Sequence, residues 1–378
     1  MARRPVRRGR GGGLLSLLVA ALALACSGPA APASPPAATP RAAAPTPTVA
    51  TLPSPTVATP EPAPATVRIG VIGLVSDAGI FLAEERGYLA EQRITLQSEQ
   101  FDTAATMMPL LASGQLDIAT GGINAGLFNA IARGLPVVLT ADKGSQPPGA
   151  GANIVLVRKD LADSAEIRGP RDFRGRSVGV DVPGTVNRYF WDKYLGQEGL
   201  SLADTQPQIL SFPDMIGALA NRRLDAALAP EPFPTLAEGQ GAAVKFFTTD
   251  RIAPYSQPGV LFYSREFAER QPDVGRRFMV AYLKGVRDYN RALERGGAEL
   301  DAVIDLLTRR TNLKNAAIYK QMVPFGLDPN GTLFRDSIMD MQAYFKQTGE
   351  VPEEVPWERI VDTRFIEYAV QVLGPYMR

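Results

Sequence analysis

From Val67 onward, apolar residues recur first at about every second position and then at every third or fourth, and the two patterns alternate. Val67 to Ile72 reads as a short strand. Gly79 to Leu89 follows as a helix with Ile80, Phe81, Leu82 and Leu89 inward. Strands are predicted at 94–96, 116–119 and 137–139, separated by helices over 103–113 and 127–133. Pro109 falls inside the first of these helices and predicts a kink. The alternation then restarts, with strands at 154–157, 177–180, 208–210 and 224–228. A helical turn at 171–173 and helices over 185–196 and 214–220 lie between them. After a strand at 259–263 the chain turns helical, over 274–293, 298–307, 315–322 and 333–345. Strands separated by helices imply right-handed crossovers and mainly parallel sheets flanked by helices, an α/β fold. None of these apolar runs is long enough to cross a bilayer.

Ahead of this region the pattern differs. Arg3, Arg4, Arg7, Arg8 and Arg10 precede an apolar run from Leu14 to Ala25, which ends at Cys26. A basic start, a short apolar run and small residues before a cysteine read as a secretion signal over 1–26, with Ala23-Leu24-Ala25-Cys26 as a lipoprotein cleavage box. Leu24 stands two positions before the cysteine rather than the commoner three. Cys26 is therefore the expected lipidation site, and the acyl chains would hold the protein to a membrane. Residues 27–66 are mostly Pro, Ala, Thr and Ser. Such a stretch cannot bury enough apolar surface to offset its ordering entropy, so it is read as a tether.

Composition removes several chemistries. The 378 residues contain no histidine, which excludes His-based triads and His-ligated metal sites. The lone cysteine, Cys26, allows neither an intrachain disulfide nor a thiolate metal cluster. No cofactor is expected, and no P-loop is present. Cleavage before Cys26 would remove five of the 40 basic residues against 39 acidic ones, leaving a mildly acidic chain with no basic face for nucleic acid.

One internal echo suggests two equivalent lobes. Residues 111–119 and 219–227 both follow the pattern L-A-x-x-x-L-D-x-A. Asp117 and Asp225 are read as turn-satisfying residues where a helix gives way to a strand, not as catalytic carboxylates.

A family resemblance rests on an ordered set of motifs. Residues 80–89, ending Glu85-Arg86-Gly87-Tyr88-Leu89, resemble a first-helix motif P-x-x-A-x-E-x-G-Y-F, with Ile80 and Leu89 departing from it. Ser113-Gly114-Gln115-Leu116-Asp117-Ile118-Ala119 matches S-G-x-x-D-x-A. Residues 172–180 are similar to D-L-x-G-K-x-V-G-V, with Phe173 and Arg176 departing. Leu224-Asp225-Ala226 followed by Glu231-Pro232 matches x-D-A-x-x-x-x-E-P, and residues 360–365 fit the closing segment only loosely. Each motif alone is weak. In order, over roughly 67–370, they resemble solute-binding proteins of importers for nitrate, sulfonates, taurine and thiamine-pyrimidine precursors. The resemblance implies the two-lobed type II periplasmic-binding-protein fold, with a two-strand hinge and a ligand in the cleft. Lobe one would comprise 67–152 and 258–378, and lobe two 153–257. The crossings would fall near Asn153–Val157 and Pro258–Tyr263.

On this reading the chain is not an enzyme. It captures a small organic molecule, a sulfonate, pyrimidine or related compound, and delivers it to ABC permease subunits as a monomeric cell-envelope lipoprotein. Two alternatives stand beside it: a ligand-sensing lipoprotein without a transporter, and an enzyme on the same fold. Among enzymes on this fold, a pyrimidine synthase that consumes its own histidine and a deaminase needing a cysteine in its folded part are both excluded by composition.

Three strand-to-helix loops are the candidate ligand contacts: Ser76, Asp77 and Ala78; Gly122 and Asn124; and Pro183, Gly184 and Thr185. Helix N-termini offer free amides and a positive dipole end, and the glycines permit close approach. Ordinary helix capping by Ser76, Asn124 and Thr185 would explain the same residues. Glu231 and Tyr255 complete the set, the first as a charged contact and the second as a stacking surface. If Asp77 and Glu231 both face the cleft, they disfavour a bare anion and favour an amine or pyrimidine-like ligand. Tyr189, Phe190 and Trp191 are consecutive, so at most two can face one way, and most are assigned to the core.

Overall fold

The computed structural model describes residues 61–101 and 104–377. Cys26 and the tether lie outside the described residues. Ten strands form two five-stranded sheets. The first has the order β2-β1-β3-β10-β4, built from β1 Ala65–Val71, β2 Ile94–Gln100, β3 Ile118–Gly122, β4 Val137–Gln146 and β10 Ser256–Ser264. The second has the order β7-β6-β8-β5-β9, built from β5 Asn153–Arg158, β6 Ser177–Val180, β7 Gln206–Ile209, β8 Ala226–Pro230 and β9 Ala243–Thr248. In the first sheet β10 runs antiparallel to both its neighbours, β3 and β4, while β1 is parallel to β2 and β3. In the second, β5 is antiparallel to β8 and β9, and β6 is parallel to β7 and β8. Each sheet is thus parallel but for one reversed strand.

The reversed strands are the ones that enter from the other lobe. The chain passes from β4 to β5 through 147–152 and returns from β9 to β10 through 249–255. The expected crossings adjoin these connections. Asn153–Val157 and Pro258–Tyr263 lie wholly inside β5 and β10, where their β-branched and aromatic residues pair with neighbours. The crossings themselves are a turn through Pro147 and Pro148 and a 3-10 turn, Thr249–Arg251, followed by Pro254. Prolines remove ladder donors, so the chain leaves a sheet where they cluster.

The internal echo is structural. Asp117 donates its amide to the Arg68 carbonyl at 2.9 Å and accepts the Arg68 amide on its carboxylate at 2.8 Å. Asp225 does the same to Ser177, at 2.9 and 3.0 Å. Each Asp zips the entry of one strand to its neighbour, β3 to β1 and β8 to β6. The next layer repeats as well. A Cβ on Gly70 would strike the Met107 sulfur, and one on Gly179 would come within 3.1 Å of Met215 Cγ. Met107 and Met215 sit at the same offset before their echo aspartates and fill the space that the missing Cβ leaves.

Two apolar layers cover the first sheet. On one face Phe81, Tyr282 and Phe365 pack with the helices Ala78–Glu85, Pro272–Arg295 and Arg364–Leu373. On the other, the helices Ala104–Ala112, Ala125–Ala132 and Arg335–Gln347 share a core that continues into lobe two through Tyr189, Phe190 and Trp191. All three of these aromatics are buried. A separate cluster around Met215, Leu219 and Leu224 covers the remaining face of lobe two. Pro109 lies within a helix that nonetheless runs from Ala104 to Ala112. The expected helix over 315–322 is a single turn, Ala316–Tyr319.

Candidate cleft between the two sheets

The loops that follow β3 and β6 meet across the lobe junction, and the structure places the predicted residues in three different situations. Asp77 closes the turn after β1. One carboxylate oxygen accepts the amides of Gly73 and Leu74, at 2.9 and 3.0 Å. The other lies 3.0 Å from the Lys143 ammonium, and both side chains are buried, 0% and 3% exposed. Glu231 is likewise committed. It accepts the Thr235 amide and hydroxyl and pairs with Lys245 at 3.0 Å. It also accepts the Val323 amide of lobe one at 3.1 Å, which ties the lobes together on this side. Both acids are charge-compensated structural groups, so the cleft carries less net negative charge than the sequence alone suggests.

The second situation is direct contact between lobes. Asn124 and Thr185 form an antiparallel bridge, and the Ala125 amide donates to the Gly184 carbonyl at 2.9 Å. A Cβ on Gly184 would sit 3.1 Å from that of Ala125, and the residue has φ of +79°, so glycine suits both demands. The Gly184 amide donates to the Glu350 carboxylate at 2.7 Å. Asn124 caps its helix by accepting the Leu127 amide. Ser76 and Thr185 do not cap theirs. The Thr185 hydroxyl turns back to Asp181. Burial raises the Asp181 carboxyl above the ordinary range, although Thr185 and Asn187 donate to it. Gly122 is half-buried beside the Pro258 carbonyl, and Ser76 is buried beside Gly144. Pro183 is exposed.

Two residues depart from their expected places. Ala78 is fully buried in the apolar core under the Pro272–Arg295 helix, because the first turn of its helix faces inward. Tyr255 stands away from the other candidates. It is 51% exposed, with φ of +59°, and lines two cavities that none of Ser76, Gly122, Asn124, Thr185 or Glu231 touches.

Residues outside the predicted set form the floor. The polar half of β4, Thr140 to Gln146, is buried throughout. Asp142 accepts from the Gly144 amide, the Gln257 side chain and the Asp328 amide, at 3.1, 2.8 and 2.7 Å. Gln146 Nε2, Asn187 Oδ1, Asp250 Oδ1 and Ser256 Oγ are buried and find no hydrogen-bond partner in the protein. They belong to the end of β4, the helix after β6, the second crossing and the start of β10. Such orphans are rare in native proteins.

Desolvation pushes Asp142 up to about 7, against the three donors that favour its charged form. The unfolded chain releases this proton near 3.8, so between the two values the folded state holds the extra proton. This group's contribution to stability is therefore present below about pH 4 and falls as pH rises towards about 7, by up to about 1.4 kcal/mol per pH unit. The 13C shift of the Asp142 carboxyl should titrate with a midpoint near 7. A midpoint in the ordinary carboxylate range would contradict it.

Among the described residues no helix is long and apolar enough to cross a membrane, and no group of three or more Cys, Asp or Glu side chains is placed to hold a metal ion. Among solved structures, the ligand-binding component of an ABC-type import system from Staphylococcus aureus is similar to this chain with a TM-score of 0.65 and 16% identity, covering 81% of this chain and 99% of its own. The periplasmic aliphatic sulphonate binding protein SsuA from Escherichia coli superimposes with a TM-score of 0.65 and 21% identity over 80% of this chain and 93% of its own. The desulfurization enzyme DSZB matches with a TM-score of 0.58 and 16% identity over 82% and 99%. A search of curated proteins finds no significant match. The likenesses establish the type II periplasmic-binding-protein fold, on which both binding proteins and an enzyme are built. The NMT1/THI5-like family model matches residues 76–291, more than half of the chain, and the chain belongs to that family.

Proposed function

We propose that this protein is an extracytoplasmic solute-binding lipoprotein that captures a small organic molecule between its lobes and delivers it to an ABC importer. The observation that carries the reading is the two-sheet architecture joined by two crossings, with the loops after β3 and β6 meeting across the junction at Asn124–Thr185 and Ala125–Gly184. The two lysines nearest the predicted loops, Lys143 and Lys245, are already paired. Recognition therefore rests mainly on hydrogen bonds, and the ligand is a polar organic molecule such as a pyrimidine or an organic sulfonate. Family membership and the import-system and sulphonate-binding neighbours support the same reading.

Ligand binding to the folded state alone raises its stability, by about 2.7 kcal/mol at a hundredfold excess over Kd. A thermal-shift screen of sulfonates, nitrate, pyrimidines and aromatic acids should give a saturable upward shift with at least one class. A flat response across the library would count against a binding role. For the anchor, Cys26→Ala is expected to move the protein from the membrane fraction to the soluble one. Undiminished membrane association would argue against lipidation at Cys26.

A further inference from the structure

We infer that the helices Val186–Gly196 of lobe two and Arg335–Gln347 of lobe one form a clasp that holds the lobes shut before any solute arrives, and that its strength sets the affinity of the cleft. The inference rests on the proposed capture between lobes and names a control on it. At its centre is a reciprocal pair of hydrogen bonds. The Tyr189 hydroxyl of lobe two donates to the Asp340 carboxylate of lobe one. The Tyr344 hydroxyl of lobe one donates to the Asp192 carboxylate of lobe two, and both bonds measure 2.6 Å. The two tyrosine rings also meet edge to face, with centroids 5.5 Å apart and planes at 78°. Asp340 and Tyr344 lie one turn apart on their helix, as do Tyr189 and Asp192 on theirs. Each helix therefore presents one donor and one acceptor on a single face. Lys193 reaches Asp340 at 2.8 Å, but these side chains are 41% and 47% exposed, and such an ion pair adds little.

The Arg335–Gln347 helix is fixed to lobe one at both ends, so the clasp joins two bodies. Just before it, the Phe334 amide donates to the Gln257 side chain of β10 at 2.8 Å. Just after it, the Asn129 side chain donates to the Glu350 carbonyl at 2.8 Å. On its inner face Phe345 packs against Phe128, with centroids 6.2 Å apart. The lobe-two helix is held at its start as well, where the Glu350 carboxylate accepts the Gly184 amide at 2.7 Å.

The contact is one that can part. Asp192 is half-buried and Asp340 exposed, so each carboxylate regains water when the helices separate. While they are together, hydroxyl-to-carboxylate bonds favour the closed arrangement. A solute that binds only that arrangement has an apparent Kd equal to its intrinsic one divided by the closed fraction. Any fold lost from the closed fraction is then lost from affinity.

The experiment needs no solute. Spin labels at Glu99→Cys and Gln208→Cys, in a Cys26→Ala chain, report the separation between the edge strands β2 and β7. The double variant Tyr189→Phe, Tyr344→Phe keeps both rings and removes both hydroxyls. The parent should populate the separation of the described structure. The double variant should lower the ratio of that separation to longer ones by at least about tenfold. Tyr88→Phe is the control. Its hydroxyl donates to Asp288 at 2.6 Å within lobe one, so its loss should leave the ratio unchanged. A parent lacking the shorter separation, an unchanged ratio in the double variant, or an equal fall in Tyr88→Phe would overturn the clasp. Such a failure leaves solute capture standing, and a flat thermal-shift screen leaves the clasp standing.

Discussion

Lys143→Met is expected to lower unfolding stability by about 3–5 kcal/mol, because it leaves Asp77 charged, buried and without its counter-ion. The Asp77 oxygen facing Lys143 has no other partner: the 3.0 Å contact is an ion pair without an aligned hydrogen bond. Its second oxygen keeps the Gly73 and Leu74 amides, which hold the turn after β1 but do not supply a positive charge. Urea unfolding should show a lower midpoint with an unchanged slope. The double variant Asp77→Asn, Lys143→Met should recover part of the loss, since it removes both charges. Lys245→Met should cost less, because Lys245 is 14% exposed and Glu231 retains three protein donors. A loss below about 1 kcal/mol in Lys143→Met would mean that the pair is solvated.

Trp191→Ala should destabilise by a similar amount, about 3–5 kcal/mol. The indole is fully buried in the core of lobe two. It lies edge-on to Phe173 with centroids 5.6 Å apart, and its N–H donates to the Gly179 carbonyl at 3.2 Å. Alanine would leave a cavity and remove a hydrogen bond to the Gly179 carbonyl of β6, the strand that leads into the Pro183–Thr185 loop. Trp191→Phe should recover most of the packing and forfeit only the hydrogen bond. Chemical denaturation of both variants separates the two effects, and an alanine variant as stable as the parent would contradict the core assignment.

The sequence was most legible where local chemistry fixes local structure. The echo aspartates were read as turn residues, and each is found closing a strand entry. The helix start after β3 is visible from the cap Asn124, and the one after β6 from Gly184. The polar half of β4 is not. The predicted strand stops at 139, because the strand signal is apolar periodicity and here burial is supplied by polar partners from distant segments. β9 escaped for a related reason: Lys245 in its middle points to Glu231 and breaks the alternation. The pairing of Asp77 and Glu231 with lysines is hidden for the same cause. Their counter-ions come from other strands, and a single sequence does not show which strands meet. Glu350, which receives the Gly184 amide, comes from the far C-terminal part of the chain and carries no motif.

Capture of a solute between the lobes requires two sheets that move as bodies about the paired crossings and shut on it. The edge strands β2 and β7 carry exposed positions at Glu99 and Gln208. Spin labels placed there through Glu99→Cys and Gln208→Cys, in a Cys26→Ala chain, report the separation of the lobes. A solute that raises the unfolding temperature should convert the distance distribution to a single narrower one. An unchanged distribution at saturating solute would contradict closure between the lobes.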